Sequence, residues 1–143
     1  MDITLEYLKK EDLKQYKNLL DEIFDKTAPI EFYQENYSET HPFIKVVVAK
    51  TGEKIIGTIT FALIDSFTNP QDARIEFFNF ATGSIARGTP AATMLMTFVM
   101  KYGLKHGYQK ISVNCHAHAA RAHAFYKKMG FIQADSVRFI KTI

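Results

Sequence analysis

Two runs rich in Val, Ile and Phe, Ile44–Lys50 and Ile55–Ile64, are separated by little more than Thr51-Gly52-Glu53. Strand formers on either side of a short turn predict a β-hairpin in the middle of the chain. The next segments differ in kind. Ala73–Ala81 reads as a further strand, and residues from about 89 to 106 as a long helix. That helix carries Ala91, Leu95, Phe98 and Tyr102 on one stripe and Met94, Val99 and Leu104 on another face. A helix apolar on more than one side packs deeply, as crossover helices over a sheet do. Hairpin and crossover together call for one mixed sheet.

The remaining segments fit around it. Ile3–Leu8 alternates like a first strand. Asp12 is placed to cap a helix whose apolar residues are Leu13, Tyr16, Leu19, Leu20 and Ile23, and Pro29 opens a second helix over residues 29–38. Lys110–Asn114 reads as a strand, Ala119–Met129 as a helix, and Phe131–Ile143 as two short strands. The expected order is β-α-α-β-β-β-α-β-α-β-β. That is an α/β (α+β) fold with a single mixed, mostly antiparallel central sheet flanked by helices.

A chain of 143 residues, 47% apolar, suits one domain spanning residues 1–143. The lone Cys115 excludes a disulfide framework within the chain and suits a reducing compartment. No apolar run approaches the roughly 18 residues of a membrane span, and the N-terminus lacks the layout of a signal peptide. The expectation is a cytoplasmic protein with no membrane partner.

Charge is unevenly spread. Residues 1–86 carry a net charge of −5, and residues 87–143 a net charge of +8 with Asp135 as their one acid. A basic half suits a polyanion, either a nucleic acid or a phosphorylated cofactor; a solvated surface poor in acids is the plain alternative.

Two stretches carry candidate chemistry. In Ala122-His-Ala-Phe125-Tyr126-Lys-Lys-Met-Gly130-Phe131, the residues Ala119, Ala122, Phe125, Tyr126 and Met129 line one helical face. Gly130 ends the helix where a positive φ is needed, and Phe131 closes the cap. Only Tyr126 is left over: a phenol on an apolar face needs a partner for its hydroxyl or a reaction to serve. In Ala86-Arg87-Gly88-Thr89-Pro90-Ala91-Ala92-Thr93, small residues open a helix. Backbone N–H groups at a helix start make an anion site, to which Thr89 and Thr93 add hydroxyls and Arg87 a fixed charge. A well-started helix with alanines for close packing explains the same residues.

Together the two stretches resemble the GNAT superfamily of N-acetyltransferases. The family's pyrophosphate loop, Arg/Gln-x-x-Gly-x-Gly/Ala, is matched at both ends by Arg87-Gly-Thr-Pro90-Ala-Ala92. Its later signature, Ala-x-x-Phe-Tyr-x-x-x-Gly-Phe, is met in full by Ala122, Phe125, Tyr126, Gly130 and Phe131. Element order extends the resemblance over the whole chain. Pro90 replaces the loop's middle glycine, Ala119 stands where many relatives have an asparagine, and the run Asn79–Ala86 is about two residues longer than usual.

The resemblance implies transfer of an acetyl group from acetyl-CoA to a primary amine of a small molecule or peptide, by direct attack in a ternary complex. It implies cofactor contacts at Phe80, Ala81, Arg87, Gly88, Thr89, Ala91, Ala92, Thr93, Ala119 and Tyr126. Strand N–H groups near Phe80 and Ala81 would polarise the thioester carbonyl, and Tyr126 would protonate the departing thiolate. Arg121, Lys127 and Lys128 are candidates to face phosphates.

Glu76 lies in an apolar strand, where a carboxylate is costly unless paired or functional, so it is the candidate general base, directly or through water. His116 or His118 is a second candidate proton acceptor, since imidazole titrates near neutrality. Cys115, His116, His118 and His123 cluster in sequence, but their spacing fits no usual zinc pattern, and no metal is expected. Expected partners are coenzyme A and a neutral or cationic amine, because residues 21–39 hold six acids against Lys26. No nucleic-acid partner is expected, and a homodimer stays open. A non-catalytic acyl-CoA sensor or partner-binding protein, and a nucleic-acid-binding module, are the other function classes.

Overall fold

The computed structural model describes the whole chain, Met1–Ile143. One sheet of five strands runs in the order β1-β2-β3-β4-β5, the order of the strands along the chain. They are β1 (Thr4–Tyr7), β2 (Ile44–Thr51), β3 (Lys54–Ile64), β4 (Arg74–Thr82) and β5 (Ile111–Ser112). The first four pair antiparallel and β5 joins β4 in parallel, giving the mixed, mostly antiparallel sheet that the sequence pattern calls for. The helices are α1 (Leu13–Ile23), α2 (Ile30–Asn36), α3 (Ala91–His106) and α4 (Ala120–Lys128). The chain divides into two compact units, Met1–Val113 and Asn114–Ile143, of which the first holds the sheet and α1–α3 and the second holds α4. No helix is long and apolar enough to cross a membrane.

In the first unit β3 is the spine, and its side chains alternate between two helical layers. Phe61 meets Tyr102 of α3 edge-on at 5.1 Å, and Gly57 lies so close to α3 that a Cβ there would stand 3.2 Å from Leu95 Cδ1. On the other face, Thr58 donates its hydroxyl to Val47 O at 3.0 Å, and Tyr16 of α1 is buried. Val47, Ile59, Phe61, Ile75, Phe77 and Leu95 are fully buried, and each such side chain stabilises the fold by about 2 kcal/mol. On the α1 side, Tyr16, Leu19, Leu20, Val48 and Ile55 form a second cluster.

Three local expectations are corrected. Asp12 precedes α1 but its side chain caps no N–H; it binds Lys50 Nζ at 2.5 Å, and Glu6 binds the same ammonium at 2.6 Å. A buried lysine demands carboxylates more strongly than a helix start does, since water can satisfy the latter. Leu104 is 81% exposed, because the face of α3 turned to the sheet runs through Ala91, Leu95, Met96, Val99 and Gly103. Residues 131–143 form no strand. Their apolar residues Ile132, Val137, Phe139, Ile140 and Ile143 are all exposed, so no burial offsets the entropy of ordering an extended backbone.

In the second unit, α4 ends as its sequence requires. Gly130 adopts φ 91°, its N–H donates to Lys127 O at 3.0 Å, and the Phe131 N–H donates to Tyr126 O at 2.9 Å. These are the two bonds of a Schellman cap, and the Tyr126 and Phe131 rings, 5.6 Å apart, supply its apolar contact.

Candidate active site

β4 is interrupted where chemistry is expected. Its register with β3 runs evenly from Ile64↔Arg74 to Thr60↔Phe78 and resumes at Thr58↔Ala81, so β4 carries one more residue than β3 across this interval. Asn79 takes up the extra residue with φ 50°. Asparagine tolerates the left-handed region better than most residues, which suits it to a bulge of this kind. On the other edge, β5 pairs only with Ile75 and Glu76, so β4 runs on past the end of β5. Phe80 and Ala81, the expected thioester contacts, follow directly on the bulge, and both are half-buried.

Asn79 also lines a cleft of about 710 Å³. One wall is α2 and the loop after it, with Phe32, Tyr33, Asn36, Tyr37 and Glu39; the other is the C-terminal end of α3, with Tyr102 and His106. Tyr7, Ile44, Lys45 and Thr60 of the strands lie between them. The rings interlock: Tyr33 meets Tyr16 at 6.1 Å and Phe32 at 5.8 Å edge-on, and Tyr102 stacks on His106 at 4.1 Å. Tyr37 donates its hydroxyl toward Leu8 O at 3.1 Å, with Glu39 Oε1 at 3.4 Å. Burial first, and the Glu39 charge second, push the Tyr37 phenol above its ordinary pKa.

The loop into α3 is held from inside. Gly83 N–H donates to Ile56 O at 2.8 Å, and Glu22 Oε1 accepts the Ser84 N–H. A Cβ on Gly83 would stand 3.0 Å from Glu22 Oε2 and 3.1 Å from Leu19 Cδ1, so a side chain here would have to displace both. Ser84–Ala86 forms a 3-10 turn, Arg87 is exposed, and Gly88 has φ 78°. Pro90 occupies the N-cap position of α3 and Ala91 its first turn. The N–H groups of Ala92 and Thr93 find no acceptor within the chain. Thr89 differs from expectation, because its hydroxyl donates to Ala86 O at 2.6 Å and accepts from the Ala91 N–H at 3.3 Å. Its proton is spent on the loop itself.

Glu76 is half-buried on β4, forms none of the chain's lysine or arginine ion pairs, and accepts from the Ser112 hydroxyl at 3.5 Å. It does not line the cleft. Of the six acids in residues 21–39, Glu39 alone does; Asp21 is held by Lys17, and Glu22 by Ser84.

In the second unit, Ala119 is the N-cap residue of α4, and Tyr126 lies half-buried on that helix. Burial first, and the nearby Cys115 second, push the Tyr126 phenol up to about 12. His116 and His118 are exposed, while His123 Nε2 lies 2.9 Å from His116 O. No group of three or more His, Cys, Asp or Glu is arranged to hold a metal ion. Arg121, Lys127 and Lys128 are exposed, the two lysines in the last turn of α4, where a cation suits the helix dipole.

The aromatic cleft was not foreseen from the sequence. Its residues come from the first four strands and from α1, α2 and α3, each reading locally as ordinary core or surface. The one local signal was Asn79, a turn-favouring residue inside a strand of aromatics.

The sequence model of the Acetyltransferase (GNAT) family matches residues 11–131. No curated protein matches the sequence. Among solved structures, an aminoglycoside acetyltransferase from an uncultured soil metagenomic sample, in complex with trehalose, superposes with a TM-score of 0.82 at 18% identity, covering 99% of this chain and 96% of that one. A transcriptional regulator from Bacillus halodurans C-125 gives 0.83 at 20%, covering 99% of both chains. AAC(6')-Iy in complex with the bisubstrate analog CoA-S-monomethyl-acetylneamine gives 0.81 at 12%, covering 100% of this chain and 99% of that one. Likeness at these identities carries the fold.

Proposed function

The chain belongs to the acetyltransferase (GNAT) family, and on that premise we propose that residues 1–143 act as one N-acetyltransferase domain, moving an acetyl group from acetyl-CoA to a primary amine. The observation that carries this reading is Asn79. One residue makes the β4 bulge and also lines the cleft, so an amine held in the cleft can reach the strand segment at Phe80 and Ala81.

The loop fits the phosphates of coenzyme A. The Ala92 and Thr93 N–H groups lack acceptors at a helix N-terminus, Arg87 is an exposed cation, and nothing lies within 4 Å of the space a side chain at Gly88 would fill. When bound, acetyl-CoA supplies an activated thioester. Strand N–H groups near Phe80 and Ala81 take the charge that grows on the carbonyl oxygen as the amine attacks. Glu76, outside the cleft, accepts the ammonium proton through water. Tyr126, whose phenol holds its proton at neutral pH, gives that proton to the departing sulfur. The ammonium loses two protons on becoming an amide: the first leaves through Glu76 to solvent, and the second, shed after the attack, balances the one that Tyr126 delivers to the thiolate.

The test is thiol release from acetyl-CoA across a panel of amines, with a thermal shift on adding coenzyme A alone. Release with at least one amine and a raised melting temperature are expected. A shift without release from any amine would make the chain an acyl-CoA binder, and no shift at millimolar cofactor would overturn the reading.

A further inference from the structure

The charge on the cleft walls is sparse and balanced. One carboxylate, Glu39, stands at the rim beside the Tyr37 hydroxyl, and one ammonium, Lys45, lies 5.9 Å over the Tyr7 ring. Nearly everything else that faces the cleft from α2 and α3 is ring surface. Phe32 is 53% exposed with its edge on Tyr33, and no buried partner claims its outer face. A polycation needs several carboxylates to replace the water it gives up, and this cleft offers one. A single ammonium needs one, and a ring beside it adds cation–π attraction and apolar contact. An acidic amine would meet Glu39 at the rim.

We infer that the acceptor is a monoamine with an aromatic or apolar body, its ammonium drawn into the cleft past Glu39 and its body against Phe32, Tyr33 and Tyr102. This rests on the acetyltransferase reading and narrows it. The adjoining acids of α1 do not extend the site to polyamines, because Asp21 and Glu22 are already held by Lys17 and Ser84.

Direct binding of phenethylamine, methylamine and the aminoglycoside neamine to the full chain, followed by calorimetry or ligand-observed NMR, tests it without turnover. Phenethylamine is expected to bind about tenfold more tightly than either of the others. Glu39→Gln and Phe32→Ala, both at exposed positions, are each expected to weaken phenethylamine by about fivefold or more. Tighter binding of neamine, or phenethylamine binding indifferent to both substitutions, overturns the inference. Thiol release measured on the same amines keeps the two readings apart. Phenethylamine bound through Phe32 and Glu39, with thiol released by no amine at all, would defeat the transferase and leave the ligand class standing, whereas release with another amine but not with phenethylamine would overturn the inference alone.

Discussion

Glu22, in the last turn of α1, accepts the backbone N–H of Ser84 at 2.7 Å across 62 residues of chain. A carboxylate near a helix C-terminus opposes the helix dipole, so its position there needs a compensating donor. Ser84 is that donor, and its N–H holds the Glu22 carboxyl below the ordinary carboxylate range. The bond fixes the start of the loop that ends at the open N–H groups of α3.

Glu22→Ala is therefore expected to raise KM for acetyl-CoA about fivefold, the effect of loosening one charge-assisted hydrogen bond at an exposed site, with kcat within about twofold. Glu22→Gln keeps an acceptor for Ser84 and should recover most of the loss. A fall in kcat with KM unchanged would show that the latch does not serve cofactor binding.

Tyr126→Phe keeps the ring against Phe131 and removes only the hydroxyl. Turnover is expected to fall by about 10²-fold, the usual worth of a positioned proton donor, with a far smaller change in KM. Because the phenol is raised to about 12, it stays protonated through the neutral range and its loss of the proton adds no alkaline limb below about pH 11. Unchanged turnover would leave Tyr126 as a cap residue.

Pro90→Gly should tighten acetyl-CoA binding, since it adds one N–H at the start of α3, and a hydrogen bond to a charged group contributes roughly 1.5–3 kcal/mol. The same change frees the unfolded chain and weakens the first turn, at a cost of about 1 kcal/mol or less in stability. Titration and melting separate the two. Lower stability without tighter binding would mean that position 90 faces no phosphate.

Lys50→Ala leaves Glu6 and Asp12 facing each other without their shared cation, and is expected to cost about 3 kcal/mol in urea unfolding. Lys50→Met, which fills the space, should cost less. Burial alone would push the Lys50 ammonium down, but Asp12 and Glu6 more than reverse this, and Lys50 in turn lowers the Glu6 carboxyl. A lowered carboxyl contributes stability above its unfolded pKa, and a raised ammonium below its own. The penalty of removing Lys50 should therefore be flat between the ordinary values of the two groups, 4.5 and 10.5. It should shrink as acid passes through the lowered Glu6 value or alkali through the raised Lys50 value.

Features set by neighbouring residues were legible in the sequence. The β2–β3 hairpin, the long α3 and the Gly130–Phe131 cap each depend on local pattern, and each forms as read. Features decided across the chain were not. Asp12 looks like a cap until Lys50 arrives from 38 residues away, and Thr89 looks like a ligand donor until Ala86 O takes its proton. Alternation in residues 131–143 suggests strands, but alternation records only what a strand would need, and whether it finds a neighbouring backbone is a tertiary matter. Tyr126 and the Arg87–Thr93 loop were visible as motifs. The cleft, assembled from seven elements, was not.

The order of the strands in the sheet repeats their order in the chain, and this bears on how the protein comes to exist. From β2 to β4, each strand pairs with one that precedes it in sequence, and β3 needs only a short turn to reach β2, so little loop entropy opposes closure. A chain emerging N-terminus first can close β1 to β4 before α3 has been synthesised. The parallel pairing of β5 must wait, because it needs the whole α3 crossover. Most of the wall that would hold the amine is then in place while the residues that would grip the phosphates are still to come.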